Sequence, residues 1–146
     1  MPGADRVADL TLRWVRNAQA DLAICRATSD LVGRYPASVA FHAQQAMEKA
    51  IKAILVFEQI DFPRTHDLER LAALVPSDWH LRLPAEDLGR MSQFAAETRY
   101  PIEDWNQVPE VTEAEAEHAI VAAAGVIDHV LDGLERRGLP RKSTSE

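Results

Sequence analysis

The chain is poor in several things that would each point to a chemistry. Its one cysteine, Cys25, excludes an intramolecular disulfide and fits a reducing compartment. No apolar run approaches the about 20 residues that span a bilayer. The first residues, Met1 to Arg6, lack the basic start and apolar middle of a secretory signal, so a cytoplasmic protein is expected. The six glycines are scattered at 3, 33, 89, 125, 133 and 138, which leaves no glycine-rich phosphate loop. Basic residues are missing where acids are dense: Tyr100 to Glu135 holds nine Asp or Glu and no Lys or Arg. With a net charge of −7, a broad electrostatic grip on nucleic acid is not expected. Any basic pocket must come from the middle of the chain or its first helix. The acidic third is either a solvated face or a surface for a basic partner.

What is present is helix. The chain has 146 residues, is rich in alanine and is 47% hydrophobic. That suits one domain with its own core, expected over 1–138, followed by a polar, disordered tail over 139–146. In the first helix, Asp5 to Ser29, Leu10, Trp14, Ala18, Leu22 and Cys25 recur at three- and four-residue steps. They form one apolar stripe, with Arg16 and Asp21 off it. Gly33-Arg34-Tyr35-Pro36 breaks the pattern, and Pro36 suits a first helical turn. The second helix, Ala37 to Gln59, carries Val39, Ala43, Ala46, Ala50, Ala53 and Phe57. Alanines on such a seam permit close axis approach, which predicts the central helix.

Thr65 is read as the N-cap of a short helix ending at Leu74, and Trp79 to Leu83 as a turn or short helical piece. Ala85 to Arg99 reads as a further helix, stopped by Pro101 after Tyr100. Thr112-Glu113-Ala114-Glu115 fits a capping box that starts a last helix from Glu113 to Arg136, and Gly138 stops it. The expected architecture is all-α, an up-and-down bundle of four to five helices.

Most catalytic chemistries are not spelled out. A di-metal carboxylate bundle needs two Glu-x-x-His units, and only Glu115 to His118 supplies one, so no metal is expected. Cys25 lies on an apolar stripe with no local base and reads as structural. The basic and amide side chains hold more. His42, Gln45, Lys49 and Lys52 share one face of the second helix, with Gln44 and Glu48 on the next. Lysines suit phosphate oxygens and amides suit base edges. The same residues equally suit an exposed stripe or pairs inside the bundle, such as Lys52 with Glu48. Arg64, Thr65 and His66 fall at an expected helix start, where free amides favour an anion. Arg99 is a further candidate cation, and Tyr100 and Trp105 are aromatics able to stack on a base or close a loop.

These residues carry a resemblance to the HEPN domain family (higher eukaryote and prokaryote nucleotide-binding). It rests on Trp14 with Ala20-Asp21-Leu22, on Tyr35, and most on Phe41-His42-Ala43-Gln44-Gln45-Ala46-Met47-Glu48-Lys49-Ala50-Ile51-Lys52-Ala53. Arg64-Thr65-His66-Asp67-Leu68, Arg99-Tyr100-Pro101 and Thr112-Glu113-Ala114 complete it, over about residues 8 to 135. The resemblance implies a helical bundle that usually dimerises and is often encoded beside a minimal nucleotidyltransferase, as a toxin–antitoxin or related pair. Many members are metal-independent RNases whose Arg and His, separated by four to six residues, converge from two subunits. The chemistry implied is attack of a ribose 2′-hydroxyl on phosphorus with His as acid or base.

This chain departs from that motif. Seven residues separate Arg34 from His42, one separates Arg64 from His66, and nine separate Arg70 from His80. His118 and His129 have no Arg in range. The resemblance therefore implies a non-catalytic, homodimeric, nucleotide-binding partner of a nucleotidyltransferase, with no cofactor. Its expected phosphate contacts are Lys49, Lys52, Arg64, Thr65, His66 and Arg99, with His42 and Gln45 as accessory contacts. The alternatives are an RNase toxin with a degenerate site using His42 or His66, and a purely structural helical adaptor.

Overall fold

The computed structural model describes residues 3–83 and 110–141. All regular structure among them is helical: α1 (Ala4–Ala27), a 3-10 turn (Ser29–Leu31), α2 (Pro36–Phe57), α3 (Leu68–Ala72), a second 3-10 turn (Ser77–Trp79) and α4 (Glu113–Arg136). The helix expected over Ala85 to Arg99, with Tyr100, Pro101 and Trp105, lies outside the described residues.

α2 is the axis of the bundle. It packs along both α1 and α4, while α1 and α4 touch each other far less. The reason is the alanine seam: Ala43, Ala46, Ala50 and Ala53 are all buried and project only a methyl group, so both neighbours approach closely. Met47, Ile51, Ile54 and Leu55 fill the space around the seam. Val130 and Leu134 of α4 and Leu68 and Leu71 of α3 join the same cluster. Pro36 occupies the first turn of α2, where its missing N–H costs nothing.

The buried face of α1 differs from the expected stripe. Val7, Thr11, Val15, Ala18, Leu22 and Cys25 are buried, and Asp21 is buried with them. Leu10 and Trp14 are only half-buried. Trp14 instead leans to one side, where its ring meets Phe62 edge-on at 6.5 Å. Thr11 is tolerated inside because its hydroxyl donates to the Val7 carbonyl at 2.7 Å.

The helix ends follow backbone accounting. α2 stops at Phe57 because Gln59 turns left-handed, at φ 56°. The Ile60 N–H then bonds back to Leu55 O at 2.8 Å and Gln59 N–H to Val56 O at 3.1 Å, a Schellman closure. α4 repeats it with a glycine: Gly138 sits at φ 88°, and Leu139 N–H reaches Leu134 O at 2.9 Å. Leu139 also packs on the core. At its start α4 has the expected capping box, with Glu115 N–H donating to Thr112 Oγ1 at 3.1 Å. α3 begins later than expected. Thr65 is not its cap; its hydroxyl accepts from Asp67 N–H at 3.1 Å, and Asp67 Oδ1 caps the helix through Arg70 N–H at 3.3 Å. Arg64, Thr65 and His66 thus precede the cap, and a five-residue helix stands behind it.

Trp79 is a second keystone. Its indole N–H donates to Glu58 Oε1 at 2.7 Å, its ring meets Phe57 edge-on, and Arg137 stacks over it at 3.8 Å. His129 Nε2–H donates to the Trp79 carbonyl at 2.6 Å. The ring fits because position 133 of α4 is glycine: a Cβ there would meet Cζ3 of Trp79 and lie 2.7 Å from Cε3. Gly133→Ala is expected to lose about 2 kcal/mol in urea unfolding, because overpacking outweighs the helix propensity gained. Gly125→Ala, where a Cβ meets nothing, is expected to gain about 0.5–1 kcal/mol in the same measurement.

Candidate functional site

The polar groups of α2 face inward on two lines. Gln44, Glu48 and Lys52, at i, i+4 and i+8, are buried. His42, Gln45 and Lys49 beside them are half-buried. Two carboxylates organise these side chains.

The first is Asp21 of α1, 6% exposed. Its Oδ2 accepts from Lys49 Nζ at 2.6 Å, and its Oδ1 faces His42 Nδ1 at 3.3 Å. One turn further along α1 lies Cys25, whose Sγ–H donates to the Val39 carbonyl at 3.6 Å. Burial, then the Asp21 charge, push the Cys25 thiol up to about 11, overriding a backbone hydrogen bond that lowers it. A thiol so protonated is no nucleophile.

The second is Glu48. Its carboxylate accepts from Lys52 Nζ at 2.7 Å and from His66 Nδ1, which lies 2.9 and 3.0 Å from the two oxygens. Gln44 Nε2 bridges Glu48 Oε2 at 3.3 Å and the His66 carbonyl at 3.2 Å. Both neighbours are acceptors, which fixes the orientation of the amide and leaves its Oε1 buried with no hydrogen-bond partner. The Lys52 ammonium also lies 5.6 Å from the Trp14 ring and 5.7 Å from that of Phe62. Residues from α1, α2 and the connection before α3 are thereby fastened to one another by charge.

Five of the expected phosphate contacts lie among the described residues, and the structure treats them differently. Lys52 is committed, its side chain 10% exposed and its charge matched by Glu48. Lys49 is matched by Asp21 but opens to solvent at 29%. His66 is nearly half exposed at 45%, with its ring aimed by Glu48. Arg64 is exposed, two residues away, and no ion pair holds it among the described residues. Thr65 serves the backbone through its hydroxyl. Gln45 is half-buried, and Arg99 lies outside the described residues. Sequence reasoning missed Asp21 as an organising carboxylate; only its place in the resemblance marked it. Among the described residues, no three His, Cys, Asp or Glu side chains gather as a metal site would require.

An all-helical bundle with α2 at its centre and a buried carboxylate–lysine–histidine network defines the class. The HEPN domain family model matches residues 11–134, and the chain belongs to that family. A protein of Methanocaldococcus jannaschii named "Putative toxin MJ1304" is 26% identical over 136 residues, covering 85% of this chain and 88% of that protein. No solved structure matches the chain.

Two measurements follow from this geometry. Lys52→Met is expected to cost about 3 kcal/mol in urea unfolding by stranding Glu48, and adding Glu48→Gln to recover much of it. Cys25 holds its proton in the fold up to about 11, against 9.0 for a free thiol. Its contribution is intact below pH 9.0 and lost as pH rises towards 11, so Cys25→Ala should flatten that alkaline decline.

Proposed function

We infer that this chain is the HEPN half of a toxin–antitoxin-like pair, acting as a homodimeric, nucleotide-binding module beside a minimal nucleotidyltransferase. The observation that carries this reading is the edge formed by Arg64 and His66. A guanidinium unpaired among the described residues stands two residues from an exposed imidazole whose ring is held by a buried carboxylate. That arrangement suits the phosphates of a nucleotide or nucleotidyl group. Lys49, partly open to solvent on Asp21, and Arg99 are further phosphate contacts in this reading. Lys52 acts more remotely: it neutralises Glu48, so the carboxylate that aims His66 does not repel an anion. Thr65 shapes the backbone between the two contacts. The name of the archaeal relative supports the toxin–antitoxin setting. The absence of an Arg at family spacing before any His argues for binding rather than cleavage.

A second reading has one observation in its favour. A carboxylate bonded to Nδ1 fixes the tautomer and orientation of His66, as general acid–base work requires. RNA cleavage in EDTA that is lost in His66→Ala and retained in His42→Ala would select it.

For the binding reading, millimolar nucleoside triphosphate is expected to raise the melting temperature by several degrees. Arg64→Ala should abolish most of that rise without lowering the melting temperature of the free protein. No shift in the wild type, with the nucleotidyltransferase absent and present, would overturn it.

A further inference from the structure

A second group of basic side chains lines a cleft on α4 that shares no residue with the Arg64–His66 edge. It is an open cleft of about 460 Å³ between α4 and the chain after Trp79, lined by His80, Arg82, Ala122, Gly125, Val126 and His129. That volume falls within the usual range of small-molecule sites.

Its lining combines three features. The first is its donor set. Among the described residues that line it, two imidazoles and a guanidinium converge with no carboxylate, although the chain carries a net −7. Arg82 is exposed and, among the described residues, makes no ion pair or hydrogen bond, unlike Arg137, which is tied to Asp78 and Trp79. The second is rigidity. His129 is locked by its 2.6 Å bond to the Trp79 carbonyl, which spends Nε2–H and leaves Nδ1, a donor to an anion only when the ring is protonated. His80 is set by the left-handed turn, φ 50°, that closes the second 3-10 turn. The third is the floor. A glycine in mid-helix costs about 1 kcal/mol relative to alanine, and Gly133 has a packing reason in Trp79. Gly125 has none among the described residues, where a Cβ would meet nothing within 4 Å. The open space in front of it is the cleft itself.

We propose that this cleft binds a small phosphate-bearing anion, with Arg82 and the two imidazoles on the phosphate oxygens and the Gly125 floor allowing the ligand to lie against the helix backbone. A guanidinium offers two parallel N–H donors to such a group; the His80 ring adds a further N–H donor, and His129 adds one through Nδ1 in its protonated form. The reading is independent of the role assigned to Arg64 and His66.

The test is titration of the ¹⁵N-labelled full chain with inorganic phosphate and then pyrophosphate, against sodium chloride at matched ionic strength. Saturable shifts centred on the Gly125 amide and the His80 and His129 rings are expected, tighter for pyrophosphate. Arg82→Ala should weaken binding by about tenfold or more. Gly125→Leu should abolish binding by filling the cleft, with the melting temperature unchanged or raised. Three results would overturn the proposal: shifts that sodium chloride reproduces, an affinity untouched by Arg82→Ala, or shifts centred on Arg64 and His66. The last would support the edge described above while removing this cleft. Loss of binding in Gly125→Leu counts only with the Arg82→Ala loss, since Arg82 is exposed and its removal leaves the fold intact.

Discussion

Two carboxylates withdrawn from water set the terms for this bundle. Asp21 and Glu48 are each almost fully buried, and an unmatched buried charge costs several kcal/mol. Each is therefore met by one lysine of α2 and one imidazole. That requirement fixes the rotation of α1 about its axis, so that Asp21 turns inward while Leu10 and Trp14 move towards the edge. It also fixes the path before α3, because His66 must reach Glu48. The alanine seam permits close approach; the charged network selects one register from those the seam would allow.

The parts of the fold that could be read from the chain are those whose signals are local. The capping box at Thr112 and Glu115, the stop at Gly138, Pro36 in a first turn and the alanines of α2 each act within a few residues, and each appears where expected. What could not be read depends on partners distant in sequence. Periodicity placed Asp21 off the apolar stripe of α1, because a hydropathy pattern does not know that Lys49 and His42 wait across the interface. Thr65 looked like a cap, but Asp67 lies two residues closer to the apolar Leu68 and Leu71 that anchor α3.

The same division applies to the site. His42, Gln45, Lys49 and Lys52 read as one helix face in the sequence, whereas the structure sets Lys52 on the buried line of Gln44 and Glu48. That Lys52 would be enclosed by Trp14, Phe62 and Glu48 was legible only as one of two alternatives. His80, Arg82 and His129 carry no motif at all: Arg82 and His129 stand 47 positions apart along the chain, and only folding brings them to one cleft.

The Trp79 clamp bears on how the chain reaches its fold. Arg137 and Asp78 stand 59 positions apart, so the clamp closes a long loop, whereas α1 and α2 are joined by a short connection. Short-range contacts form first and loop closure comes later. The hairpin of α1 and α2 is thus the element able to assemble early, with α4 docking onto its exposed alanines afterwards. Because closure entropy rises only with the logarithm of loop length, the clamp secures the far end of α4 at a cost that depends little on how much chain it encloses.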